Sequence, residues 1–180
     1  MVYSVLIKHS VSAVHPKNTF RFQAQWGTWG SMEYCPDGGF ATSFSTRVEG
    51  KMGRKGDDTA LNAICLTCNT GGQVCSKKGG WGDWKSSSTS NEGFYGADFS
   101  IEPYRGRKGD DTAGNALVLY GTNDEKYVTG QENLYGKWQG RLNCVKGDVI
   151  CGLRTKVEDA LGENRDDTAL NGVELVCCGE

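Results

Sequence analysis

A chain of 180 residues with a formal net charge of -2 and a pI near 5.8 can bury one substantial core, but it carries no basic stripe of the kind a nucleic-acid partner requires. Its 26 glycines, 3 prolines and short broken apolar runs argue against a helical protein and for many short strands joined by tight turns. No run approaches the roughly 18 apolar residues of a membrane-spanning helix.

In chain order, the opening "MVYSVLIKHS" is broken by Lys8 too early for a signal-peptide core, and Met1 reads as the start of a mature chain. "YSVLI" reads as a weak strand. A stretch around "HSVSAVHPKNTFRFQAQ", which holds both histidines, His9 and His15, reads as an N-terminal insertion. Then comes "WGTW" (Trp26 to Trp29), followed by a strand with Phe44, Thr46 and Val48 on one face. The segment "GDDTALNAICLTC" leads into a second strand, with Ile64, Leu66 and Cys68 on one face. The set then recurs. "WGDW" (Trp81 to Trp84) precedes the Phe99, Ile101 strand, "GDDTAGNALVLYG" and the Leu117, Leu119 strand, with "SSSTSNEG" at 86–93 as a polar surface loop. After "EKYV", another weak strand, "YGKW" (Tyr135 to Trp138) precedes Leu153, Thr155 and Val157, then "RDDTALNGVELVC" with Val173, Leu175 and Cys177.

A period of about 55 residues makes the chain three copies of one unit, near 1–71, 72–125 and 126–180, within a single domain. One small sheet has nothing to bury against, so the three must pool their apolar faces in a pseudo-threefold all-β domain. Spacing alone leaves β-trefoil, β-prism and small propeller open, the trefoil disfavoured by its shorter repeats.

The eight cysteines indicate an oxidising compartment. Registering the repeats sets Cys35 opposite Cys144 and Cys68 opposite Cys177, with Ser90 and Gly121 at the matching places of the second unit. Bonded residues are gained and lost in pairs. The pattern therefore predicts Cys35–Cys68 and Cys144–Cys177, each closing about 33 residues and contributing roughly 3 to 4 kcal/mol. Cys65–Cys75 is a plausible local bridge. Cys151–Cys178 follows by elimination, but the exchanged pairing, Cys144–Cys178 with Cys151–Cys177, fits nearly as well. Zinc is disfavoured because the C-x-x-C of Cys65 and Cys68 has no second close pair at suitable spacing.

The repetition also bears on the candidate sites. Asp57, Asp58 and Thr59, with Asp110, Asp111 and Thr112 and with Asp166, Asp167 and Thr168, occur once per unit, whereas catalysis needs only one constellation. They read as turn residues bonding nearby backbone N–H groups, assisted by Asn62, Asn115 and Asn171. The interleaved spacing of a calcium loop is missing, so no metal or cofactor is expected. Trp26, Trp29, Trp81, Trp84, Tyr135 and Trp138 are either turn-packing residues or platforms for an apolar sugar face. Glu33, Glu49, Glu102, Glu132 and Glu158, taken as non-repeated acids, are the pool from which a glycosidase pair would be drawn, and no pair stands out. No serine has a nucleophile-elbow context and no N-glycosylation sequon is present.

Three W-G-x-W-like markers, three [GR]-D-D-T-A-x-N segments, "STRVEG" and "RTKVED" before two of them, and the terminal Cys177–Cys178 pair together resemble the vitelline membrane outer layer protein family over nearly the whole chain. The resemblance implies a β-prism of three antiparallel Greek-key sheets, secretion, and a place in extracellular coats such as the outer egg envelope or mucosal secretions. It also implies recognition of N-acetylglucosamine-containing glycans, with glycosyl transfer as a further suggestion. The resulting expectation is a secreted, monomeric protein whose partners are glycans or glycoproteins of an extracellular matrix, with no catalytic residue assigned. A weak carbohydrate-active enzyme and an inert scaffold are the alternatives.

Overall fold

The structure is a computed structural model of the chain and describes residues 13–50, 60–103, 114–130, 136–159 and 170–180. All the regular elements among these are strands, apart from one 3-10 turn at Pro36–Gly38. The first sheet holds β4 (Ala41–Val48), β5 (Leu61–Cys68), β6 (Gln73–Cys75) and β7 (Asp83–Ser86), in the order β6-β5-β4-β7. The second holds β8 (Phe94–Ile101), β9 (Gly114–Gly121), β10 (Lys126–Gly130) and β11 (Lys137–Trp138), in the order β10-β9-β8-β11, with β12 (Leu142–Asn143) also on β8. The third holds β1 (His15–Gln23), β14 (Leu170–Gly179), β13 (Val149–Val157) and β2 (Thr28–Trp29) in that order, with β3 (Glu33–Tyr34) also on β13. Three neighbouring antiparallel strands, with a fourth returning beside the first of them, make each sheet a Greek key.

The period-two pattern accounts for what lies inside. Phe44, Val48, Ile64 and Leu66 of the first sheet meet Phe99, Ile101, Leu117 and Leu119 of the second and Leu153, Val157, Val173 and Leu175 of the third in one shared core. Aromatic edges interlock the sheets, with Phe44 and Phe94 centroids 6.0 Å apart in a T-shaped pair and Phe22 and Phe99 at 6.3 Å. Three sheets facing a common centre define a β-prism.

Two expectations need correction. The residues read as an N-terminal insertion contain β1, which occupies the edge position of β6 and β10 beside β14. It escapes a pattern reading because an edge strand keeps water on most of its length, and only Phe22 of its residues is buried. The central strands were expected to be half-buried, yet β9 and β14 are buried along their whole length. The outer face of β14 is covered as well: Val176 and Cys178 lie with Cys151 beneath Val14, Met32 and Phe40.

Each W-G-x-W strand joins the sheet built by the preceding unit, β7 on β4, β11 on β8 and β2 on β13. The eight cysteines form Cys35–Cys68, Cys65–Cys75, Cys144–Cys177 and Cys151–Cys178. Cys35 and Cys144 each follow a marker segment, so their bonds fasten that segment to the next sheet. Equivalent backbone bonds locate the unbridged third copy: Cys35 N–H donates to Cys151 O at 2.8 Å, Cys144 N–H to Tyr95 O at 2.7 Å, and Ser90 N–H to Thr42 O at 2.7 Å.

Candidate functional site

The marker glycines explain why the motif has its form. Gly27 and Gly82 adopt φ of 86° and 89°, and a Cβ at Gly27 would lie 2.7 Å from the carbonyl carbon of Val157. At Gly82 a Cβ would strike the same group of Val48. The turn is thus pressed against the end of the neighbouring strand, where only glycine fits. Basic side chains hold it there: Arg47 Nε donates to Gly82 O at 2.9 Å, and Lys156 Nζ to Ala24 O and Gln25 O at 3.0 and 3.1 Å. Asn62 Oδ1 accepts the Trp81 N–H at 3.4 Å, which links a D-D-T-A-x-N segment to the next marker.

This arrangement turns the tryptophans outward. Trp29 pairs with Lys156, Trp84 with Arg47 and Trp138 with Ser100. Those partners alternate with core-facing residues, so the three indoles occupy equivalent places on three outer faces. Exposure is 43% at Trp26, 57% at Trp81, 48% at Trp84 and 41% at Trp138, and Trp29 is half-buried. The markers are therefore distributed one to a sheet and do not converge on a shared cleft. Tyr135 lies outside the described residues, as do Asp57, Asp58, Thr59, Asp110, Asp111, Thr112, Asp166, Asp167 and Thr168.

Beside the equivalent tryptophans the three faces differ. On the third sheet Arg154 lies over the Trp29 ring at 5.0 Å and grips Glu174 Oε2 through Nε at 2.7 Å and a terminal nitrogen at 2.6 Å. Thr19 Oγ1 donates to the other Glu174 oxygen at 2.8 Å. Burial pushes the Glu174 carboxyl up, but the bonds from Thr19 and Arg154 and the charges of Arg154 and Arg21 outweigh it and leave the group below its ordinary value of 4.5. A lowered carboxylate contributes stability that is fully present above its unfolded pKa and is lost as pH falls through the folded one. Glu174→Gln is accordingly expected to destabilise the protein at neutral pH and to flatten its loss of stability below pH 4.5, as read from thermal midpoints across an acid series.

On the second sheet Arg141 stacks on Tyr120 at 4.0 Å and on Tyr95 at 5.1 Å, and pairs with Asp124 at 2.7 Å. The Tyr95 hydroxyl bonds both Asp124 and Arg141. Hydrogen bonding from Tyr95 first, then from Arg141, holds Asp124 below the usual carboxylate range. Asp98 Oδ1 accepts the backbone N–H groups of Phe99, Gln139 and Gly140 at 2.8, 3.1 and 3.0 Å, fixing the chain that follows Trp138. The first sheet carries the Cys65–Cys75 bridge and a Gln73 to Ser45 bond of 3.1 Å instead. Sequence reasoning missed the Arg154–Glu174 and Arg141–Asp124 groupings because neither repeats.

The acids also need correction. Register pairs Val48 with Leu61, Ile101 with Gly114 and Val157 with Leu170, so the next residues, Glu49, Glu102 and Glu158, are equivalents, one per sheet. They repeat after all. Glu33 lies apart from them on β3, and Glu132 is outside the described residues. Two surface hollows of about 420 and 410 Å³ lie near the start of β1, one lined by His15, Tyr34 and the Cys151–Cys178 bridge, the other by Lys17, Phe40 and Asp148. Neither is lined by a marker tryptophan. Among the described residues no cluster of three or more His, Cys, Asp or Glu could hold a metal, and no helix is long and apolar enough to cross a membrane.

Three outward-facing Greek-key sheets around one core place the chain in the β-prism class. The Vitelline membrane outer layer protein I (VOMI) family model matches residues 17–180, and the chain belongs to that family. A human relative, "Vitelline membrane outer layer protein 1 homolog", is 39% identical over 163 residues, covering 85% of this chain and 78% of its own. Among solved structures, Malaysian banana lectin matches with a TM-score of 0.57 at 11% identity, over 91% of this chain and 99% of the lectin. The second β-prism domain of RbmC from V. cholerae, bound to N-acetylglucosaminyl-β-1,2-mannose, matches with a TM-score of 0.50 at 12% identity, over 90% and 99%.

Proposed function

We propose that the protein is a secreted, monomeric component of an extracellular coat or secretion that binds N-acetylglucosamine-containing glycans or glycoproteins. The observation that carries this reading is the outward, symmetry-equivalent placement of Trp29, Trp84 and Trp138 on a disulfide-stapled prism. An exposed indole is costly to keep in water and suits the apolar face of a sugar ring, while its N–H finds a hydroxyl. Membership of the VOMI family and the sugar-bound prism among the fold's relatives support the same class of ligand. Four disulfides suit an oxidising extracellular setting.

The test uses the N-acetylglucosamine tetramer, with heat of binding and oligomer lengths followed in one sample. Binding with unchanged lengths is expected, and Trp84→Ala and Trp138→Ala should each weaken their own site about 2- to 10-fold. Altered lengths would make the protein an enzyme. Absence of binding would leave it a scaffold.

A further inference from the structure

We infer that the protein is a trivalent bridge, in which the faces around Trp29, Trp84 and Trp138 each take a separate neutral glycan chain, so that one molecule joins up to three. This rests on the glycan-binding reading and extends it to the number of sites and their consequence.

Residues of all three sheets point into one cluster, so the three outer faces look away from one another. A single ligand spanning two equivalent tryptophans would have to pass around an edge of the prism. Separate chains reach the three faces without that constraint. Equivalence is set by register: Trp29, Trp84 and Trp138 stand opposite the same position of β13, β4 and β8.

Charge identifies the kind of chain. Arg154 is paired with Glu174, whereas Arg47 donates to Gly82 O and Lys156 to Ala24 O and Gln25 O, so these two keep their charge. A polyanion would need a cation repeated on all three faces, and Ser100 stands opposite Trp138 where Arg47 and Lys156 stand opposite Trp84 and Trp29. An uncharged saccharide, stacking on indole and exchanging hydrogen bonds with bound polar groups, does not. Trivalency also raises affinity for a polymer without any new contact, because the second and third sites bind at the effective concentration set by the chain between them.

The experiment compares the N-acetylglucosamine tetramer with a soluble uncharged polymer bearing N-acetylglucosamine at many points. Titration of the tetramer should reach about three per protein, and the polymer should bind on the order of 100-fold more tightly. Light scattering should rise and then fall as protein passes into excess over polymer. Trp84→Ala and Trp138→Ala should each weaken one of the three sites about 2- to 10-fold and leave the other two at full strength, and the double variant should keep one full-strength site and scatter less at the same polymer concentration. These side chains are about half exposed and outside the core, so folding is not at stake, and an unchanged thermal midpoint checks it. One tetramer per wild-type protein with no scattering overturns the trivalent bridge and leaves glycan binding standing. Failure of the tetramer to bind at all removes the glycan reading itself, and the bridge with it.

Discussion

The double substitution Ser90→Cys and Gly121→Cys is expected to form a third inter-sheet disulfide and to raise stability by up to about 3 to 4 kcal/mol. Ser90 matches Cys35 and Cys144 through its backbone bond to Thr42, and a Cβ built at Gly121 lies 3.6 Å from Ser90 Oγ. The Cβ-to-sulfur distance across a disulfide is about 3 Å, so the two segments must close by roughly half an ångström to form the bond. The new Cβ would also lie 3.1 Å from Tyr127 Cε2, so the ring must shift by a few tenths of an ångström, which subtracts from the gain. Ser90 Oγ gives up its bond to Gly93 O, a further small loss. At about 2 to 4 °C per kcal/mol for a chain of this size, the midpoint should rise by roughly 5 to 15 °C. Thiol titration of the unfolded, unreduced protein distinguishes a formed bond, with no free sulfhydryl, from two idle cysteines. The single Gly121→Cys variant, which takes the strain without the bond, should be less stable than wild type.

Gly82→Ala is expected to cost about 2 to 4 kcal/mol, large for a single methyl group at a surface turn. Two terms add: an L-residue at a φ of 89° costs roughly 1 to 2 kcal/mol, and forcing the methyl into the Val48–Glu49 peptide costs roughly another 1 to 3. Gly140 is the control. Its φ is 100° but nothing lies within 4 Å of its Cβ, so Gly140→Ala should show only the first term. Denaturant titration of the two variants separates backbone conformation from steric contact. Because β7 carries Trp84 on the turn that Gly82 makes, Gly82→Ala should also perturb tryptophan emission while the Gly140 variant leaves it unchanged.

These expectations show which parts of the molecule can be read from its sequence. Phe44, Val48, Ile64 and Leu66 alternate on strands flanked by hydrogen-bonded neighbours, and one face of each must be apolar, so the pattern remains visible. Strand β1 has no such constraint, because an edge needs only Phe22 inside and tolerates Lys17, Asn18, Thr19 and Arg21 elsewhere. The equivalence of Glu49, Glu102 and Glu158 was hidden by registration: the second unit pairs Ala97, not Phe99, with the residue that matches the partner of Phe44. Only the ladder of backbone bonds reveals that two-residue offset. Arg154 and Glu174 meet because β13 and β14 pair across 20 residues, and neither residue's local context signals the other. The outward turn of the tryptophans was equally invisible, since W-G-x-W states a tight turn and leaves open which side of a sheet the indoles will occupy.

The pairing of β1 with β14 sets the order in which the molecule can be completed. As the chain leaves the ribosome, the first and second sheets find all their strands within a continuous stretch, β4 through β12. The third cannot close until β13 and β14 emerge, and until then β1, β2 and β3 have no ladder to join. Cys35 follows immediately on β3 and is bonded to β5, so oxidation of Cys35–Cys68 can tether that waiting segment to a sheet already formed. The earliest strands synthesised are thus the last to be paired, and the bridge that holds them nearby can be made before their own sheet exists.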